Sequence, residues 1–96
     1  TKEYIYNENK FLFEKLNETN LFKVYSSVAN YIFLKSKFDV DWKEELLNYN
    51  ILIRKCDNYI GLNDRFYRVA VKDNVSNLKL VENIKKIKEE LNDRFN

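Results

Sequence analysis

Between Ile51 and Lys72 lie two β-prone runs, ILIRK and YRVAVK, on either side of the only glycine in the chain, Gly61. No other stretch restricts the possible folds as much. Side chains along a strand alternate between faces, so Ile51 and Ile53 share one side while Leu52, Arg54 and Cys56 take the other. In the second run Tyr67, Val69 and Val71 oppose Arg68, Ala70 and Lys72. A hairpin centred on Gly61 pairs Ile53 with Val69 and Arg54 with Arg68. The β-branched set then faces the interior and both arginines project away from it. The connection is too long to set the register by itself, so this pairing is an expectation drawn from the pattern of faces.

The remaining segments supply the other layer. Residues 2–19 contain neither glycine nor proline and carry Ile5, Leu12 and Leu16 at helical spacing, with Tyr4 and Phe11 beside them. They predict a helix ending near NETN. LFKVY and NYIFLKS, separated by Ser26, Ser27 and Ala29, read as two strands. DVDWKEELLNYN opens like a helix N-terminus, with Asp41 and Glu44 spaced as a capping box. Trp42, Leu46 and Tyr49 form its apolar stripe, and Asn50 suits a left-handed position after it. A long amphipathic helix from about Ser76 buries Leu80, Ile84, Ile87, Leu91 and Phe95. The order α-β-β-α-β-β-α predicts an α+β fold, a mostly antiparallel sheet covered on one face by helices.

Composition narrows the function. Ninety-six residues make one domain, and an apolar fraction of 45% argues against disorder. A net charge of +2 gives no electrostatic footprint for nucleic acid. No apolar run approaches the roughly 20 residues that span a bilayer, so neither nucleic acid nor membrane is an expected partner. One cysteine and no histidine leave no internal disulfide, no zinc site and no histidine-activated nucleophile. Such cysteine usage suits a reducing cytoplasm. Cys56 reads as a small hydrophobe beside the loop, Trp42 as core, and the many Tyr and Phe as packing. The NYIGLND loop, with Asn58 and Tyr59, is the candidate contact surface. The chain starts TKEY and contains no methionine, which predicts a fragment of something longer.

Two readings of the arginines stand open. Like charges directly opposite on a sheet repel. Either each guanidinium pairs with a nearby acid such as Asp57, Asp64 or Glu82, or the two share an anion. Arginine's planar fork binds phosphate and carboxylate through paired charge-assisted hydrogen bonds.

At this stretch the sequence resembles the C-terminal small domain of fold-type I pyridoxal-phosphate enzymes. The likeness lies in the branch of threonine-phosphate decarboxylase and histidinol-phosphate aminotransferase. SSVANYIFLK resembles a small-residue turn followed by Ala-Asn-aromatic and an apolar strand, here Ala29, Asn30 and Tyr31. ILIRKCDNYIGL matches Ile-Leu-Ile-Arg, a cysteine, Asn-aromatic and Gly-Leu, the pattern found in the decarboxylases. RFYRVAVK with NLKLVENIKKI resembles the arginine-bearing strand and final helix. Ser26 stands where a proline is frequent, and Ser76 where a glutamate is common.

The resemblance implies that Arg68 binds a substrate acid group and that Arg54 helps hold the substrate's phosphate. It implies a parent enzyme, a homodimer, that uses pyridoxal 5'-phosphate held by a larger preceding domain of the same chain. The implied substrate is an amino-acid phosphate, decarboxylated to aminopropanol phosphate for cobalamin, or an amino acid in a related aminotransferase. The resemblance further implies that an arginine gripping the carboxylate would favour loss of the Cα proton, and that decarboxylation would need the anchor moved to the phosphate. No catalytic, cofactor-binding or metal residue is expected in this chain, and alone it should be inactive. A free-standing anion-binding interaction module is the alternative from another class.

Overall fold

A computed structural model describes residues 2–25, 30–56 and 65–95. The elements follow the expected order: α1 (Lys2–Glu18), β1 (Phe22–Tyr25), β2 (Tyr31–Ser36), α2 (Trp42–Leu47), β3 (Arg54–Lys55), β4 (Phe66–Ala70) and α3 (Asn74–Phe95). The strands form one sheet in the order β1-β2-β4-β3, with every neighbouring pair antiparallel.

Helix ends follow local chemistry. The α1 helix gives way to Asn20 at φ 60°, a left-handed position that asparagine tolerates. Lys88 of α3 donates its Nζ–H to the Thr19 carbonyl at 2.9 Å, placing a cation where the α1 dipole ends negative. Of the expected capping box at α2 the N-cap half is present: the Glu44 amide donates to the Asp41 carboxylate at 3.1 Å. Asn50 is left-handed, with φ 62°. The α3 helix begins two residues before the expected Ser76, because Asp73 accepts from the Ser76 amide at 2.7 Å and so caps the helix earlier.

The larger departure is at β3. The run ILIRK joins the sheet only at Arg54 and Lys55, and the expected Ile53–Val69 pair is not part of the ladder. The Ile51 amide is occupied by the Leu46 carbonyl at the end of α2, so the chain is still leaving the helix at that point. On the other side β4 ends at Ala70, and the Val71 amide turns to the Asn30 carbonyl. Ile53 nonetheless reaches the core, as its parity requires.

One sheet face is packed and the other is not. Phe22, Ile32, Leu34, Ile53, Tyr67 and Val69 are buried against Leu12 and Leu16 of α1, Trp42 and Leu46 of α2, and Leu80, Ile84 and Ile87 of α3. The polar atoms of this core are satisfied. The Trp42 indole donates to Ser36 Oγ at 3.0 Å, and Tyr67 Oη donates to the Val40 carbonyl at 3.0 Å while accepting from the Trp42 amide at 3.2 Å. Buried Asn77 ties α3 to the end of β4, accepting from the Lys72 amide and donating to the Lys72 carbonyl and Glu8. No helix among the described residues is long and apolar enough to cross a membrane.

Candidate anion-binding site

With three helices on one face, the alternate residues of each strand are left on the other. On β4 these are Phe66, Arg68 and Ala70, flanking buried Tyr67 and Val69. On β2 they are Tyr31, Phe33 and Lys35, and the β1 residues that join them are Lys23 and Tyr25.

Arg54 lies directly opposite Arg68 in the β3–β4 ladder, so both belong to the uncovered face as the sequence predicted. Arg54 is exposed and Arg68 half-buried. Among the described residues neither guanidinium forms an ion pair. Of the three acids named as possible partners, Glu82 stands on α3, across the sheet from the arginines. Asp57 and Asp64 lie outside the described residues, as do Gly61 and the Asn58–Tyr59 contact loop.

The backbone under Arg68 is held from below. Tyr67 and Val69, its two neighbours in β4, are each wholly or almost wholly buried, and the Tyr67 hydroxyl bridges to the α2 entrance. Next to Arg54, Lys55 turns to the other side and pairs with Asp41 at 3.0 Å. Burial opposes ionisation of Asp41, but hydrogen bonds from Lys55 and the Glu44 amide outweigh it and hold the carboxyl below its ordinary value. Both arginine strands are therefore tied to α2, one by a hydroxyl and one by an ion pair. Cys56 follows as a buried thiol whose amide donates to the Phe66 carbonyl.

The sequence reading missed what surrounds the arginines. The ring of Tyr31 lies beneath Arg68, with Cζ 4.4 Å from the ring centroid. Beyond Arg68, three half-buried rings pack on one another: Phe33 and Phe66 at 5.5 Å, Tyr25 and Phe33 at 5.7 Å, Tyr25 and Phe66 at 6.4 Å. Lys35 Nζ sits 5.5 Å above Phe66 and Lys23 Nζ 5.2 Å above Tyr25. The sequence pattern alone assigns these aromatics to packing in general. Their parity with Arg68 (every second residue of YIFLK and FYRVA) is the signal that separates them from the core.

An α+β domain of this topology is of the aminotransferase type. The crystal structure of the histidinol-phosphate aminotransferase from Clostridium acetobutylicum superposes with a TM-score of 0.85 at 32% identity, over 91% of this chain and 27% of that one. No protein-family model matches. Among curated proteins the chain is 34% identical over 88 residues to the threonine-phosphate decarboxylase of Salmonella typhimurium, covering 91% of this chain and 24% of that protein. It is 33% identical over 84 residues to the histidinol-phosphate aminotransferase of Methanocaldococcus jannaschii. The chain is thus a homologue of the fold-type I pyridoxal-phosphate enzymes, in the branch of threonine-phosphate decarboxylase and histidinol-phosphate aminotransferase. It spans about a quarter of the length of these relatives.

Proposed function

We propose that this chain is the C-terminal, substrate-binding small domain of a longer pyridoxal-phosphate enzyme resembling threonine-phosphate decarboxylase, and that Arg54 and Arg68 hold the acid groups of an amino-acid phosphate. The observation that carries the reading is the Arg54–Arg68 pair on the uncovered face, without a carboxylate partner among the described residues. Two permanent cations held opposite one another repel until an anion lies between them. A phosphate with two charges and several acceptor oxygens can take hydrogen bonds from both forks.

Among the described residues, no lysine has the setting that a covalent bond to the cofactor requires. A lysine that binds a carbonyl group needs a desolvated amine, and every lysine whose side chain is described is exposed or half-buried. The cofactor, when bound, supplies the electron sink for breaking a bond at Cα, and a larger domain of the same polypeptide would hold it. The part of this chain is to grip the substrate, orient it and help exclude water as the domains close. Gripping the phosphate frees the carboxylate to leave; gripping the carboxylate favours transamination.

The test uses the polypeptide of the full reading frame, supplied with threonine phosphate. Carbon dioxide release is measured beside 2-oxoglutarate-dependent amino transfer. Release without transfer is the expected result, and transfer without release would assign the aminotransferase branch. Replacing Arg54 or Arg68 by Ala should lower kcat/KM by roughly 2–5 kcal/mol in transition-state terms, as for removing one side of a buried charged contact. Variants with parental kinetics would remove both arginines from the site.

A further inference from the structure

We infer that Tyr31 is a positioning residue that pre-orients the Arg68 guanidinium for anion capture, and that Ala70 is small so that this stacking can form. The inference rests on the reading of Arg68 as an anion-binding group.

Tyr31 pairs with Ala70 across the β2–β4 ladder, two residues from Arg68 on the same face. Such diagonal neighbours are within reach when one side chain is aromatic and the other long. The described side chain directly opposite the ring is a methyl group, which leaves the ring face open to Arg68 from the β4 side. The guanidinium fills that place, with Cζ 4.4 Å from the ring centroid, inside the range of a cation–π contact. Tyr31 is 39% exposed and stands outside the buried cluster, so the core does not depend on its ring.

Stacking differs from ion pairing in what it leaves free. A carboxylate partner would occupy the fork of N–H donors and neutralise the charge. An aromatic face holds the guanidinium by its flat side, while all five N–H bonds, which lie in the guanidinium plane, stay available to a ligand. Arg68 also faces Arg54, whose repulsion would otherwise scatter it among outward rotamers. Tyr31 therefore lowers the ordering cost of binding without consuming a donor.

The test uses the polypeptide of the full reading frame, isotopically labelled at arginine, with inorganic phosphate titrated at constant ionic strength. The Nε–H resonance of Arg68 reports ring stacking through its upfield shift, and the titration reports affinity. Tyr31→Phe keeps the ring and should behave as the parent. Tyr31→Leu and Ala70→Val should both lose the upfield shift and weaken phosphate binding roughly three- to tenfold, the range of a partly desolvated cation–π contact. Neither should lower the thermal midpoint by more than a few degrees, valine being the better strand former. Parental affinity in Tyr31→Leu, with Arg68→Gln binding poorly, overturns the role of Tyr31 alone. Parental affinity in Arg68→Gln, or no phosphate response in the parent, overturns the anion site and the inference together.

Discussion

Substituting one arginine of the pair should change stability in opposite directions according to the anion present. Arg54 is exposed, has no ion-pair partner among the described residues and faces Arg68 across the ladder. Charges on directly opposite long side chains sit on the order of 7 Å apart, which in water amounts to roughly 0.6 kcal/mol of repulsion. Arg54→Gln keeps the length of the side chain and removes that term. In dilute chloride the variant should melt about 2–4 °C above the parent, the usual shift for about half a kcal/mol in a domain of this size. At about 1 M chloride the Debye length falls to ~3 Å and the difference should vanish. With phosphate at ten times its Kd the parent gains about 1.4 kcal/mol from binding, and the variant loses most of that gain. The order of the midpoints then reverses. Calorimetry of both proteins in matched-ionic-strength chloride and phosphate decides the matter. A variant less stable than the parent in dilute chloride, or equally stabilised by phosphate, would refute the reasoning.

Two further outcomes follow from the attachments of the arginine strands. Tyr67→Phe removes a hydroxyl that both donates to Val40 and accepts from the Trp42 amide, so urea melts should show a loss of roughly 1–2 kcal/mol with an unchanged m-value; a loss below about 0.3 kcal/mol would mean that the bridge contributes nothing. The folded-state pKa of Asp41 is depressed, so its contribution is present above the unfolded value near 3.9 and disappears as pH falls through the lower folded value. Asp41→Asn should therefore be less stable than the parent at pH 6 and converge with it in acid. A constant gap between the two down to pH 2 would exclude that linkage.

Several features are legible in the sequence alone. The alternation in ILIRK and YRVAVK assigned Arg54 and Arg68 to one side, because strand parity is a local property. The Asp41 cap was legible for the same reason. Other features depend on what the rest of the chain does. β3 is short because the Ile51 amide is drawn to Leu46, a competition that a strand pattern does not contain. The Tyr31–Arg68 cation–π contact joins β2 to β4, and no spacing rule links residues 31 and 68 until the ladder sets their register. The same holds for the packed rings of Tyr25, Phe33 and Phe66, whose membership of the uncovered face depends on which side the helices take.

By itself, then, the sequence determined the order of the elements, the central apolar positions of each helix (Leu12 and Leu16, Trp42 and Leu46, Leu80, Ile84 and Ile87) and the common face of the two arginines, all of which follow from periodicity within short segments. Tertiary structure decided which strands are neighbours and which aromatic ring lies against which cation. Those are long-range pairings, selected by burying one sheet face under three helices, and among the described residues they leave the arginine fork beside a ring rather than beside an acid.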